Sequence, residues 1–327
     1  MKKFIKENLF YIIIISLFFV INFVRIPYEV EMPGGIINLT ERVKIDGKKV
    51  KIKGSYNMAY VGTVEGYIPY ILYGLINPDW DVSKIEDNLY EGETIEDANK
   101  RNKIYLENSK NQAIVAALKQ ANIEYETSNI INHVLYIDPL AKTDLKVGDH
   151  IISVDKVDID NVNMILEMIK ENKIDKKLDI IVERDGKTVN CYAKIIEIAK
   201  EKKIGIVLST TFDIKSAKKI EIDTKASESG PSGGLMMGLM IYSSLTDTDL
   251  TKGRKVVGTG TINSEGQVGE IGGVKYKLMG AVKNKADVFL VPKENYKEAI
   301  KVKEEKKYKI EIVKIETLKE AIDYLGG

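Results

Sequence analysis

A long apolar run lies close to the N-terminus. Residues 9–24 are almost wholly apolar and are interrupted only by Ser16 and Asn22. As a helix these sixteen residues extend about 24 Å, and flanking residues bring that length close to the roughly 30 Å hydrocarbon core of a bilayer. A cleaved signal peptide would need small residues at the cleavage point, and residues 24–28 contain none. The pattern therefore predicts an uncleaved membrane anchor.

Positive charges before this run predict its orientation. Lys2, Lys3 and Lys6 precede it, and lysine is enriched on the cytoplasmic side of membrane spans. We therefore expect residues 1–27 to form a cytoplasmic N-terminus and a single-pass anchor in the cell membrane. The bulk of the chain is then extracytoplasmic.

The pattern of residues 28–121 predicts a β-rich collar that leads into a connecting helix. Residues 43–52 alternate between apolar and polar about a turn at residues 46–47, and residues 91–120 have helical periodicity. Residues 67–80 are apolar and aromatic. Such a run either touches the membrane interface, where tyrosine and tryptophan are enriched, or enters a buried core. Burial is the commoner arrangement, and we expect it here.

Residues 122–198 combine short strands with one amphipathic helix. The helix is predicted at residues 161–171 and a hairpin at residues 178–193. Residues 145–155 read LKVGDHIISVD and resemble the LKxGDxIxxVDGxxV pattern of PDZ domains, with Lys156 in place of the usual glycine. The resemblance implies a groove that binds an extended peptide along a sheet edge. A spacer of the same fold that binds nothing is the alternative.

One serine lies where small residues meet a strongly apolar segment. Residues 227–234 read SESGPSGG, and residues 234–245 have a strong helical pattern. Pro231 suits the first turn of a helix, so Ser232 is expected at or near that turn. Free N–H groups and the helix dipole stabilise developing negative charge there. Ser232 is therefore a candidate nucleophile, and the alternative is a simple N-cap residue.

Two motifs resemble those of the Lon protease family. The sequence GPSGG is similar to the family's GPSAG nucleophile motif and places Ser232 on the nucleophile. Residues 272–277 read GGVKYK, which resembles the GGxxxK motif and places Lys277 on the catalytic lysine. Lys275 then has no catalytic role and lies on a different face of the helix. The resemblance implies a serine peptidase domain in which Lys277 activates Ser232.

Two further elements extend this resemblance. Residues 258–260 are similar to the family's TG element, whose threonine orients the lysine, and this implies that role for Thr259. Residues 281–292 resemble the family's AxxxxADxFLVP run. Four elements in one order over about 60 residues are far more specific than any one of them. The chain departs from the family at Ser229, where aspartate is common, and at Gly233, where alanine is usual.

The chain also resembles smaller, membrane-anchored relatives that carry a PDZ domain and lack the ATPase module. This resemblance implies an α+β chain with a Lon-like proteolytic domain at residues 199–327. It implies ATP-independent hydrolysis of peptide bonds in flexible segments of protein or peptide substrates, with PDZ-assisted recruitment and with no cofactor or metal. It leaves a homo-oligomer open. The alternative is a non-catalytic, membrane-tethered PDZ scaffold.

Peptide hydrolysis requires a base and an oxyanion site as well as a nucleophile. A free lysine has a pKa near ~10.4, and burial disfavours its charged form. Apolar residues follow Lys277 and can keep water away from it. The backbone N–H groups of Gly230, Ser232 and Gly233 are the predicted oxyanion site, since Pro231 has no N–H group.

Composition narrows the chemistry. The chain has 327 residues, with 49 Lys and Arg against 48 Asp and Glu, so no net charge favours nucleic acid. Cys191 is the single cysteine, which excludes an internal disulfide and a metal site built on cysteines. Nothing specific in the positions of His133 and His150 supports a Ser-His-Asp triad. Residues 186–188 read GKT, but Ile181 stands where a phosphate-binding loop needs glycine, so we expect no ATP site.

Overall fold

The computed structural model describes residues 2–326. Met1 and Gly327 lie outside the described residues. A few side chains at the start of the first helix are also outside them, namely those of Lys2, Lys3 and Ile5. The orientation that Lys2 and Lys3 predict for the anchor therefore rests on the sequence.

Helices and strands alternate along much of the chain. The helices are α1 Lys2–Phe23, α2 Ile68–Ile76, α3 Ile95–Gln120, α4 Val162–Glu171, α5 Gly234–Thr246, α6 Val274–Lys283, α7 Lys293–Glu305 and α8 Leu318–Gly326. The strands up to the middle of the chain are β1 Arg25–Asn38, β2 Val43–Ile45, β3 Ser55–Tyr67, β4 Asp81–Lys84, β5 Tyr125–Ile137, β6 His150–Val154, β7 Val157–Asp158, β8 Lys177–Arg184 and β9 Lys187–Lys194. The later strands are β10 Ile196–Ile198, β11 Glu201–Lys203, β12 Ile206–Ser216, β13 Ile220–Ile222, β14 Lys255–Gly258, β15 Thr261–Ile262, β16 Val268–Gly269, β17 Val288–Pro292 and β18 Glu311–Ile315.

A mixed sheet joins strands from the two ends of the chain. Within residues 2–326 its order is β18, β17, β14, β3, β1, β4. The strands from β18 to β3 run parallel, and β1 is antiparallel to both of its neighbours. The predicted collar therefore does not stand apart from the C-terminal region, because β3 is hydrogen bonded directly to β14. We infer that residues 25–120 and the segment from residue 220 onward form one folding unit, with the middle sheet inserted between them.

Helices cover both faces of this sheet. On one face α3, α5 and α8 share a core with Val256 and Leu290, and on the other α6 and α7 pack against Val257 and Phe289. Alternate residues of β14 and β17 thus point to opposite, equally buried faces. The mixed α and β fold predicted from the sequence is confirmed, and α5 runs through the larger core.

A second sheet occupies the middle of the chain. Among the described residues its order is β12, β5, β6, β8, β9, with β7 paired to β6. The predicted hairpin is present as β8 and β9, and Ile165 and Ile169 of α4 share its core. Lys156, which replaces a glycine of the PDZ pattern, has a φ of 69°, in the left-handed region that glycine favours. Because β12 pairs with β5, this sheet continues beyond the predicted boundary at residue 198.

Two helices turn apolar side chains outward. In α1 the window Lys6–Phe23 has a mean hydropathy of 1.6 and is unburied, so it is long and apolar enough to cross a membrane. The expectation that residues 67–80 are buried is wrong, because Leu75 and Ile76 of α2 are exposed. The physical reason is that α2 packs through Gly74 and directs its opposite side away from the protein.

Candidate active site

Ser232 lies in the turn that precedes α5. The helix begins at Gly234 with Gly233 as its N-cap, and the Ser232 hydroxyl has no hydrogen-bond partner within residues 2–326. The N-cap interpretation of Ser232 is therefore wrong. The helix begins three positions after Pro231, so Ser232 lies next to the first helical turn, as expected, and the loop after β14 holds its backbone.

The loop after β14 fixes the backbone of Ser232. The N–H group of Gly260 and the hydroxyl of Thr259 donate to the Ser232 carbonyl at 2.8 and 3.1 Å. The N–H group of Leu235 donates to the Gly260 carbonyl at 3.1 Å. The predicted contact between Thr259 and Lys277 is not made among the described residues. Thr259 instead uses its hydroxyl proton to hold the serine turn.

Helix α3 supplies contacts to the serine loop that sequence reasoning missed. The Asn102 carbonyl accepts a hydrogen bond from the Gly230 N–H group at 2.9 Å, and the Ser109 hydroxyl donates to the Pro231 carbonyl at 2.9 Å. Ser109 lies 122 positions before Pro231, so no local pattern connects them. The one signal in the sequence is a serine at helical spacing from Leu106 and Ala113.

The predicted oxyanion site is reduced to two donors. Gly230 is not available, because its N–H group already donates to the Asn102 carbonyl. The N–H groups of Ser232 and Gly233 have no acceptor in the part of the chain that the structure describes. Both adjoin the N-terminus of α5, whose dipole favours negative charge. These two groups remain the candidates for binding an oxyanion.

Helix α6 places Lys277 against the N-terminal strands. The helix begins after Gly273, whose φ of 67° lies in the region that favours glycine. Lys277 is 4% exposed and lines the same cavity as Ser232. This cavity has a volume of about 720 Å³, and strand β3 contributes Met58 and Val61 to its wall.

Burial perturbs the Lys277 amine. Loss of water lowers the pKa of Lys277 from 10.5 to about 8, and the nearby carboxylate of Glu31 partly opposes this shift. No hydrogen bond or ion pair holds the amine within the described part of the chain. Lys275 has a different environment, since it is ion-paired with Asp81 at 3.2 Å and does not line the cavity.

The serine hydroxyl and the lysine amine face one cavity without bonding to each other. No hydrogen bond between Ser232 and Lys277 is present among residues 2–326. In enzymes without substrate, catalytic hydrogen bonds are often long and tighten only in the substrate complex. The arrangement therefore places a candidate nucleophile and a candidate base on the walls of one substrate-sized space.

An ion pair holds the segment before the serine. Arg42 and Glu228 are 2.6 Å apart, and both side chains are largely buried. The Glu228 carboxylate also accepts a hydrogen bond from the Lys225 N–H group at 3.1 Å, and Lys103 donates to the Glu228 carbonyl at 2.7 Å. These contacts join the turn before β2, the serine loop and α3, so they keep the wall of the cavity in place.

Two family models match the chain. Residues 200–325 match the Lon protease (S16) C-terminal proteolytic domain, and residues 104–195 match the PDZ domain. The chain therefore carries a Lon-type serine peptidase domain together with a PDZ domain. No ATPase domain is evident within its 327 residues.

Individual relatives agree with these matches. The chain is 27% identical over 209 residues to Lon protease 2 of Borreliella burgdorferi, covering 62% of this chain and 25% of that protein. It is 26% identical over 240 residues to the Lon protease of Campylobacter jejuni, covering 68% of this chain and 28% of that protein. The chain thus spans about a quarter of the length of these curated relatives.

A solved structure was also matched. It is the crystal structure of the PDZ domain of an SdrC-like protein from Listeria monocytogenes. The match has 20% sequence identity and a TM-score of 0.22, and it covers 24% of this chain and 85% of that chain.

Replacing the buried amine should stabilise the protein. Because the folded pKa of Lys277 lies below 10.5, the unfolded chain binds its proton more tightly, and stability rises with pH between about 8 and 10.5. The free-energy cost of burying the Lys277 amine is about 3 kcal/mol at pH 7 and falls to about 1 kcal/mol at pH 10. We expect Lys277→Met to raise the free energy of unfolding by amounts of this order. Denaturant unfolding at both pH values measures the gain. Lys275→Met is the control, and a gain for Lys277→Met that does not change with pH would contradict the burial argument.

Removing the hydroxyl that holds the serine turn should slow the reaction of Ser232. Thr259→Val deletes the hydrogen bond to the Ser232 carbonyl but keeps the shape of the side chain. We expect the rate of Ser232 labelling by a fluorophosphonate to fall about 2- to 10-fold, since such a bond contributes about 0.5–1.5 kcal/mol. Thr127→Val, on an exposed part of β5, is the matched control. Equal labelling rates for the two variants would show that Thr259 has no positioning role.

Proposed function

We propose that this chain is a membrane-anchored serine endopeptidase in which Ser232 attacks peptide bonds and Lys277 acts as its base. The observation that carries the proposal is the burial of Lys277 at a cavity that Ser232 also lines. A desolvated lysine with a lowered pKa in a cleft is typical of catalytic bases. The Lon-type proteolytic domain match supports the same reaction class.

The lowered pKa of Lys277 makes it a useful base at neutral pH. With a pKa of 10.5, about one lysine in 3,000 is neutral at pH 7. With a pKa of about 8, about one in 11 is neutral. Burial therefore raises the population of the neutral amine by more than two orders of magnitude, as the reaction requires.

The reaction proceeds in two halves. The Ser232 oxygen forms a bond to the substrate carbonyl carbon while its proton passes to the Lys277 amine, and the carbonyl π electrons move to oxygen. When the scissile C–N bond breaks, the Lys277 ammonium returns that proton to the leaving amine. Water then attacks the acyl-enzyme and gives a proton to Lys277, which passes it to the departing Ser232 oxygen. The carboxylic acid is released and both groups are restored.

The tetrahedral oxyanion is stabilised by backbone donors in this proposal. The N–H groups of Ser232 and Gly233 are the candidates, because they have no acceptor in the described chain. The rigid serine turn keeps these donors oriented before the substrate arrives, which is how oxyanion sites lower a reaction barrier.

The PDZ domain recruits extended segments in this proposal. Strand β12 lies at one end of its sheet, where a peptide can add as a further strand. Asn108 and Asn111 of α3 already bond to the Thr210 carbonyl and the Phe212 N–H group at 2.6 and 3.0 Å. A recruited peptide would therefore occupy the part of β12 before Thr210. A peptide that adds as a strand must be extended, so the proposed substrates are flexible segments.

The anchor places this activity at the membrane. Helix α1 is long and apolar enough to span a bilayer, and its described side chains are largely exposed. We propose that it crosses the cell membrane once, with the N-terminus cytoplasmic and the proteolytic domain outside.

Active-site labelling tests the proposed dyad. We expect a fluorophosphonate to label the wild-type protein, and we expect Ser232→Ala to abolish labelling. Lys277→Ala should reduce labelling below detection, because the variant lacks the buried amine that accepts the Ser232 proton in this proposal. Lys275→Ala is the matched control and should retain most labelling, since Lys275 is tied to Asp81 outside the cavity.

Three outcomes would contradict the proposal. Labelling that persists in Ser232→Ala would place the nucleophile elsewhere. Equal losses from Lys277→Ala and Lys275→Ala would mean that the lysine register is wrong. A wild-type protein that reacts with no serine-directed reagent would favour a non-catalytic scaffold.

The labelling rate should depend on pH through Lys277. Because only the neutral amine accepts a proton, the rate should rise with pH through about 8. The Glu31 carboxylate raises the pKa of Lys277, so Glu31→Gln should move this rise to lower pH. Labelling rates between about pH 6 and 10 measure the shift. Glu29→Gln, on the same strand, is the control, and an unchanged profile in Glu31→Gln would exclude this electrostatic coupling.

A further inference from the structure

Helix α2 presents a compact apolar surface. Its sequence is IPYILYGLI, which contains no charged residue. The exposed large side chains are Tyr70 at 44%, Leu72 at 58%, Tyr73 at 48%, Leu75 at 69% and Ile76 at 78%. Scattered exposed leucines are ordinary, but a patch of neighbouring large apolar residues marks an interaction surface. We call these five side chains the α2 patch.

The α2 patch is held rigidly on the mixed sheet, through β1 and β4. A Cβ atom on Gly74 would lie 2.6 Å from a methyl group of Val82 and 3.4 Å from one of Val30, so the helix approaches β1 and β4 closely. The Trp80 ring stacks on Tyr70 with centroids 6.5 Å apart and meets the edge of Tyr73 at 4.6 Å. One side of α2 therefore packs against the sheet, and the opposite side is exposed.

The α2 patch lies beside the end of the membrane anchor. Helix α1 ends at Phe23, and Arg25 at the start of β1 pairs in register with Tyr67, the residue before α2. Cα atoms of paired residues in an antiparallel sheet are about 4.5–5.5 Å apart. The start of α2 is therefore one strand spacing from the end of α1, and the two helices contact each other.

We propose that the α2 patch lies in the outer surface of the same phospholipid bilayer that α1 spans. This inference rests on the proposed anchor. The patch is continuous with the apolar surface of α1, and its tyrosines adjoin Trp80, which is the composition of a membrane interface. At the same end of β1, Arg25 is ion-paired with Glu65 at 2.7 Å and marks where the surface becomes polar. A bilayer therefore covers the anchor and the patch together.

This second contact fixes how the catalytic cavity is held above the membrane. A single helix leaves a domain free to tilt, whereas a helix and an adjoining interfacial helix together restrict it. The turn after α2 is held by the helices next to the cavity. Lys275 of α6 donates a hydrogen bond to the Pro78 carbonyl, and Lys306, just after α7, is ion-paired with Asp79. The cavity thus keeps a set height, and the favoured substrates are flexible segments close to the membrane surface.

The single tryptophan of the chain provides the test. Full-length protein is reconstituted in phosphatidylcholine vesicles whose acyl chains carry bromine either near the headgroup or near the bilayer centre. We expect the Trp80 emission to be quenched, and more strongly by the shallow bromines, because interfacial helices enter only about 5–10 Å into the bilayer. The double variant Leu75→Asp, Ile76→Asp should lose this quenching.

A matched control separates the patch from exposed apolar residues in general. Leu140→Asp replaces an exposed leucine of the middle region and should leave the quenching unchanged. Alkaline carbonate extraction reports on α1 separately, and fluorophosphonate labelling of Ser232 reports on the fold and the reaction. Unquenched Trp80 in protein that resists extraction would overturn the inference while leaving the anchor intact. Disulfide cross-linking between copies of Leu75→Cys would also overturn it, because a second copy would then cover the patch.

Discussion

A close approach between α6 and β1 underlies the proposed chemistry. A Cβ atom on Gly280 would lie 3.2 Å from the backbone of Gly34, so a side chain here would have to push the helix and the strand slightly apart. This packing buries Lys277 against β1 and β3 and removes water from its amine. An ammonium ion is disfavoured in such a place, and the pKa falls to about 8. The reactivity assigned to Lys277 is therefore a consequence of how tightly two elements fit.

The same packing explains the arrangement of the chain. Strands β1 and β3 complete the mixed sheet and supply one wall of the cavity. The N-terminal region is therefore needed to form the candidate active site. The middle sheet lies between these two parts of the chain, and α3 contacts both. Asn102 and Ser109 of α3 hold the serine loop, whereas Asn108 and Asn111 hold β12. One helix thus links the sheet that is expected to bind peptides with the loop that carries Ser232.

Local sequence patterns predicted the individual helices and strands of this protein better than the contacts between them. The β8–β9 hairpin, the apolar helix α5 and the apolar N-terminal helix are present where periodicity and turn residues placed them. Residues 67–80 were misassigned to the core, because periodicity identifies an apolar segment but not what covers it. The prediction that the N–H group of Gly230 binds the oxyanion is wrong for a related reason. Its acceptor, the carbonyl of Asn102, belongs to a helix far upstream, and nothing near Gly230 reveals it.

The amino-acid sequence alone predicted which residues carry the proposed chemistry and in what order they occur, because motifs that resemble a known family and apolar periodicity are both properties of neighbouring positions. It placed Ser232 before a helix and Lys277 within one. Only the tertiary structure decided that these two residues share a cavity, that Thr259 holds the serine backbone, and that α2 faces outward beside α1. The physical reason is that burial, and with it the pKa of an amine, depends on contacts between segments distant along the chain, which no local pattern records.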